Sequence, residues 1–153
     1  MNKRTTEQRC RTLWENTPGE KPFALLLLDV DNFKQTNDRY GHPKGDAVLR
    51  CLGENLSGLF RRDDVVGRVG GDEFLMMMPG AGGEQAVGRA RKIAQEMCRS
   101  VSVQCGVDVS GSIGVVLSKP GACAYEELLR RADSALYAAK AAGKGCYRVY
   151  GGA

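Results

Sequence analysis

One histidine, one tryptophan and five prolines are all that the 153 residues contain of those types. His42 stands alone, and Cys10, Cys51, Cys98, Cys105, Cys123 and Cys146 include no C-x-x-C pair, so the spacing of a structural zinc site or a disulfide framework is missing. The cysteines are read instead as small apolar residues kept reduced in a cytosol. Long apolar runs are missing too. The longest, Phe23 to Leu28, falls far below the roughly 20 residues that a membrane helix requires, and no cleavable signal precedes it. The expectation is a soluble cytoplasmic domain that makes no membrane contact of its own, whatever anchors the parent protein. No repeat or low-complexity tract interrupts the chain. Charge of one sign is also scarce: 22 Lys and Arg against 18 Asp and Glu leave a net charge of +4. That excess is too small to imply a nucleic-acid partner, yet it suits a phosphate-bearing ligand.

What is present is one domain's worth of chain, 42% hydrophobic, enough to bury a single core. Residues 1–16 suggest a short amphipathic helix anchored in the core by Trp14. After the loop "TPGEKP", the stretch "FALLLLDV" is continuously apolar, which predicts a central strand covered on both faces, with Asp29 and Asp31 emerging at its end. Apolar positions recurring at three and four predict helices over Asp46 to Phe60 and over Glu84 to Ser100. "VVGRV" and "FLMMM" read as antiparallel strands flanking a GGDE turn, with Met76 to Met78 alternating between core and cover. A β-branched region, "VDVSGSIGVVL", then a strong helix from Tyr125 to Ala142 with Gly143 as its C-cap, then an edge strand "CYRVY" complete the chain. Strands and helices mix without strict alternation, so the fold class is α+β, or mixed α/β, rather than a parallel doubly wound sheet.

The segment "RVGGDEFLMMM" raises the functional question. Glycines in a hairpin turn are explained by cheap positive φ; Asp-Glu beside them is not. If Asp29 ends the central strand and Asp72 caps a hairpin in the same sheet, the two carboxylates converge, and they repel one another unless a cation lies between them. Oxygen ligands without histidine or thiolate favour Mg²⁺, whose further partners are commonly substrate phosphates. Solvated acids at strand ends are the plain alternative.

"DVDNFKQTND", "YGHPKGDAVL", "RRDD", "RVGGDEF", "SIGV" and "ADSALYAAKAAGKG" follow one another in the order and at the spacing of the GGDEF family of diguanylate cyclases. The resemblance covers nearly the whole chain, with the motif intact at Gly70, Gly71, Asp72, Glu73 and Phe74. It implies a central, largely antiparallel sheet wrapped by helices, similar to polymerase palms and adenylyl cyclase catalytic domains. It implies an enzyme condensing two GTP into cyclic di-GMP across a transient homodimer, with Mg²⁺, or Mn²⁺ in its place, as cofactor.

By the same resemblance, Asp29, the Val30 carbonyl and Asp72 hold the metal, and Glu73 is a second metal ligand or the base for the 3′-hydroxyl. Asp31 either assists or only orients the strand end. Asn32, Phe33 and Lys34 offer backbone amides to the β and γ phosphates. Lys140 and Lys144 bind phosphate, although cations near a helix C-terminus also complement its dipole. Asn37 and Asp46 read guanine, and Gly70 and Gly71 let backbone approach the α-phosphate. Arg61 and Asp64 match an inhibitory R-x-x-D product site, completed by Arg89, Arg91 or Lys92. The alternative is an inactive module that senses GTP or cyclic di-GMP.

The chain departs from the pattern in two places. Lys144 and Gly145 stand where the family often has arginine and then asparagine, which removes a bidentate fork. "MNKR" looks like the tail of the family's usual D-x-L-T-x-L-x-N-R opening, so a fragment of a longer protein with a sensory or dimerising part upstream is expected.

Overall fold

The strand β1, Phe23–Val30, is buried along its entire length, as an unbroken apolar run demands. Its side chains alternate between two layers. The computed structural model describes residues 2–151. Ala24, Leu26, Leu28 and Val30 enter one core, shared with helices α3 (His42–Leu59), α4 (Gly83–Lys92) and α5 (Cys98–Cys105). Phe23, Leu25 and Leu27 enter the other, against α1 (Lys3–Asn16) and α6 (Tyr125–Ala141). Each leucine so buried contributes about 1.5–3 kcal/mol relative to an exposed one.

Around β1 the sheet runs β2-β3-β1-β4-β5, with β2 at Val65–Arg68, β3 at Glu73–Pro79, β4 at Gly111–Ser118 and β5 at Tyr147–Val149. Every pairing is antiparallel except that of β4 with β5. The largely antiparallel sheet between helical layers is the architecture expected from the sequence. Trp14 is the expected anchor: it is 3% exposed, its Nε1 donates to the Cys123 carbonyl at 3.0 Å, and its ring meets Phe23 edge-on. Met76, Met77 and Met78 are all buried, so none of them is cover; Met76 and Met78 fill one core and Met77 the other.

Several boundaries differ from the sequence reading, each for a local reason. The segment after β1, to which the sequence reading assigns no helix, continues into a helix α2, Phe33–Tyr40, that buries no residue completely and therefore carries no apolar stripe to read. Helix α3 begins at His42 rather than Asp46, with Pro43 in its first turn and Gly41 at φ 90° breaking it from α2. Beyond α4 a five-residue π segment, Ile93–Met97, leads into α5, which ends at Cys105 before Gly106 at φ 71°. The strand β4 starts only at Gly111. Gly143 is not the cap itself: it follows Ala142 at φ 118°, and Gly143 N–H to Lys140 O with Lys144 N–H to Ala139 O closes the α6 terminus as a Schellman motif.

Helix α6 lies directly on β4 because Gly114 has no side chain. A Cβ there would stand 2.4 Å from the Ala132 carbonyl oxygen and 2.5 Å from the Leu136 nitrogen. Gly114→Val is therefore expected to destabilise the domain by about 1–3 kcal/mol. Gly58→Ala, on an exposed face of α3 with nothing within 4 Å of the added carbon, is expected to stabilise by about 0.5–1 kcal/mol. Urea unfolding of the two variants checks both signs.

Candidate active site

The end of β1 and the start of β3 bring the acids together. Asp29 stands opposite Glu73 in the antiparallel register, and the Val30 N–H donates to the Asp72 carbonyl at 3.1 Å. The hairpin closes when the Val69 N–H donates to Glu73 O at 2.9 Å. Asp29 is only 9% exposed; its Oδ2 accepts from the Lys140 ammonium, while its Oδ1 is buried with no hydrogen-bond partner. Burial pushes the Asp29 carboxyl up to about 6, Lys140 pulls it back, and the neighbouring Asp72 adds to the rise. Glu73 is raised as well, first by burial and then by the charges of Asp133 and Asp72. Burial opposes the charge on Lys140, but the Asp29 carboxylate overcomes it and the amine is raised.

This donor set fits a hard divalent cation that arrives with phosphates. Among the described residues no three His, Cys, Asp or Glu side chains form a ready-made cage. Mg²⁺ does not require one, since it keeps waters and commonly takes one or two carboxylates plus substrate oxygens. The orphaned Asp29 oxygen and the adjacent Asp72 leave room for more positive charge than the one unit that Lys140 supplies.

At the β1–α2 turn, Asn32 adopts a left-handed conformation at φ 53° and precedes α2, whose first N–H groups have no partner inside the helix. Lys144 reaches this turn from the far end of α6, its Nζ donating to Asn32 Oδ1 at 2.8 Å. Phe33 packs partly buried against the main core, and Lys34 is exposed. Asp31 is engaged with Ser110, Ser112 and Gly145 rather than with the acids.

A cleft of about 780 Å³ opens beside the hairpin, lined by Asp46, Leu49, Arg50, Gly67, Arg68 and Phe74 among others. Asp46 is exposed there. Asn37, on α2, has its Oδ1 buried without a partner, and a Cβ on Gly45 would come within 1.8 Å of that atom. Gly45, Leu49, Arg50 and Arg68 were not singled out from the sequence. The glycine of "PKGD" was the one available signal, because a glycine early in a helix costs stability unless something must approach it. Arg68 donates from Nε to Gly70 O at 3.1 Å and from a terminal nitrogen to Gly71 O at 2.7 Å, bracing the turn. Gly70 and Gly71 are absent from the residues with positive φ, which corrects the hairpin explanation. A Cβ on Gly70 would meet Glu73 Oε1 at 2.7 Å, whereas Gly71 faces open space.

Arg61 and Asp64 form a separate turn. Asp64 is 6% exposed; its Oδ2 accepts from the Arg61 N–H at 2.8 Å, and its Oδ1 is buried without a partner. The Arg61 side chain is exposed. Arg89 donates to the Leu59 carbonyl and lies over the Phe60 ring, next to this turn, while Arg91 is held at Tyr147.

Because folded Asp29 keeps its proton to higher pH than an unfolded aspartate, its contribution to stability is full below 3.8 and is lost as pH rises through about 6. Carboxyl-carbon NMR of the metal-free protein should show one aspartate titrating near 6, and Asp72→Asn should lower that value. A titration unaffected by Asp72→Asn would contradict the pairing of the two acids.

The family model for "Diguanylate cyclase, GGDEF domain" matches residues 1–146. The diguanylate cyclase TpbB of Pseudomonas aeruginosa is 37% identical over 142 residues, covering 91% of this chain and 33% of that protein. The chain spans 30–39% of the length of the first curated relatives it matches. The crystal structure of the GGDEF domain of TpbB superposes with a TM-score of 0.84 at 33% identity, covering 98% of this chain and 96% of that one. The GGDEF domain of DgcB from Caulobacter crescentus, solved in complex with c-di-GMP, gives 0.82 at 25% identity, covering 99% and 91%. Matched along almost its whole length in sequence and in fold, the chain belongs to the GGDEF-domain family of diguanylate cyclases.

Proposed function

We propose that this domain condenses two GTP molecules into cyclic di-GMP with release of two pyrophosphates. The observation that carries the reading is the Asp29–Asp72 pair with its unpartnered buried oxygen; the strands flanking the same hairpin, at Arg68 and Phe74, also line the cleft in which Asp46 is exposed. Asp29, the Val30 carbonyl and Asp72 would hold Mg²⁺ or Mn²⁺, with Glu73 adjacent for a second ion. Bound there, the metal supplies Lewis-acid stabilisation of phosphoryl oxygens during in-line attack. The protein's own part is positioning. Asn32, Phe33 and Lys34 present N–H groups to the β and γ phosphates, and Lys140 and Lys144 neutralise them. Gly71, with open space where a side chain would stand, leaves room for the α-phosphate. Glu73, whose carboxyl is raised by burial, takes the proton of the 3′-hydroxyl if it is not occupied by a second ion.

Asp46 and Asn37 select the base. A carboxylate accepts from guanine N1–H and the N2 amine together, a pattern adenine lacks, so GTP is used twice. One domain holds one GTP. Forming two 3′-to-5′ bonds therefore requires a second copy facing it antiparallel in a transient homodimer, working in the cytoplasm at an effective concentration set by whatever tethers the two. Cyclic di-GMP returns as a feedback ligand at the Arg61 turn. There the exposed guanidinium makes the contact, Asp64 fixes the turn that presents it, and Arg89 is the adjacent second cation.

With the domain dimerised by a fused coiled coil, GTP and Mg²⁺ should yield one pyrophosphate per GTP consumed, and Asp72→Ala should abolish turnover. Unchanged product formation in Asp72→Ala would sink the metal assignment. Arg61→Ala should leave the initial rate intact and raise the final level of cyclic di-GMP; equal product inhibition in the variant would remove the feedback claim.

A further inference from the structure

Asp31 is a buried carboxylate, 6% exposed, two residues beyond Asp29. Both of its oxygens are committed. Oδ1 accepts from Ser112 Oγ at 2.6 Å; Oδ2 accepts from Ser110 Oγ at 2.8 Å and from the Gly145 N–H at 2.9 Å. Its own N–H donates to the Ser110 carbonyl at 2.9 Å. Four bonds thus tie the end of β1 to the approach to β4 and to the loop between α6 and β5. A carboxylate with three donors in place is satisfied without a metal ion, unlike Asp29, whose Oδ1 has no partner.

The loop it holds has an improbable conformation. Gly143, Lys144 and Gly145 take φ values of 118°, 64° and 60° in succession. Among the described residues Asn32 and Lys144 are the two non-glycine positions with positive φ, and their side chains are bonded to each other. Side-chain-bearing residues occupy that region routinely only when the surroundings over-determine them, and such strain gathers at functional sites. Asp31 precedes Asn32 and accepts the N–H that follows Lys144, so a single carboxylate is bonded next to both strained residues.

We infer that Asp31 is the positioning residue of the phosphate end of the site. It clamps the α6–β5 loop onto the β1–α2 turn and so fixes the Lys144 ammonium and the turn's amides, without ligating a cation. The inference rests on the cyclase reading for the identity of the ligand, but not for the clamp. It also explains how lysine serves where the family often has arginine: the backbone, not a guanidinium fork, holds the charge in place.

The test uses the whole chain with Asp31→Ala, Asp31→Asn and Ser112→Ala, titrated with a GTP analogue carrying a non-cleavable α–β bridge in the presence of Mg²⁺. Asp31→Ala should weaken binding by about tenfold or more, the scale of a lost charge-assisted contact. Asp31→Asn should recover most of that loss, because its amide oxygen in the Oδ2 place still accepts from Ser110 and from the Gly145 N–H, while the Ser112 hydroxyl can turn and accept from the amide nitrogen. The Mg²⁺ concentration for half-saturation should stay that of the parent chain. In nitrogen-15 spectra the Gly145 amide should move in Asp31→Ala as its charged acceptor disappears; should that variant not fold, Ser112→Ala carries the same readouts with a smaller shift.

An Asp31→Asn variant as weak as Asp31→Ala, with a raised Mg²⁺ requirement, would overturn the inference and make Asp31 a cation ligand. Parent-like binding with an unmoved Gly145 amide would overturn it as well. If the parent chain does not bind the analogue but the Gly145 amide still moves in Asp31→Ala, the clamp is supported and the cyclase reading falls.

Discussion

Two carboxylates held side by side at the end of a fully buried strand are the constraint around which this domain is arranged. Asp29 cannot move away, because β1 is hydrogen-bonded on both edges by β3 and β4. The backbone of Asp72 is pinned beside it, because its carbonyl accepts from the Val30 N–H. Like charges a few ångström apart repel by several kcal/mol where water is partly excluded. A free pair would protonate or separate; here the strands limit separation, Asp29 holds its proton up to about 6, and above that positive charge is the remaining remedy. Lys140 supplies part of it, and a divalent ion with its phosphates would supply the rest.

The scaffold serves that pair in ways that link packing to chemistry. Gly114 lets α6 lie against β4 at backbone distance, which brings Lys140, two turns along from Asp133, within reach of Asp29. The Schellman turn after α6 then delivers Lys144 to Asn32. Gly45 lets α2 and α3 close so that the Asn37 amide is buried beside them. In each case a missing side chain sets the place of a present one.

How much of this was legible depended on whether the controlling interaction was local. "FALLLLDV" announced a central strand because burial on both faces leaves no alternation to hide behind. The α6 stripe is readable from its helical period, whereas the methionines, read as alternating between core and cover, are all buried because both faces of β3 are covered. Helix α2 was not readable, because its sequence "FKQTNDRY" buries nothing completely. The acids were visible as acids, but their convergence needed the register of β1 with β3, and the resemblance to a family supplied what periodicity could not. The sequence leaves Asp31 open between two roles because its partners lie 79, 81 and 114 residues away. Of the two sequence explanations of the GGDE glycines, positive φ fails, and the structure adds another cause at Gly70: the Glu73 side chain beside it.

The proposed activity requires this carboxylate pair to join two guanine nucleotides selected by Asp46. Mass spectrometry of the products formed by the dimerised domain from equal GTP and ATP with Mg²⁺ tests it most directly. Cyclic di-GMP as the sole dinucleotide is the predicted result. A mixed adenine–guanine product would contradict the role of Asp46, and GTP recovered unreacted but bound would contradict catalysis and leave a sensing module.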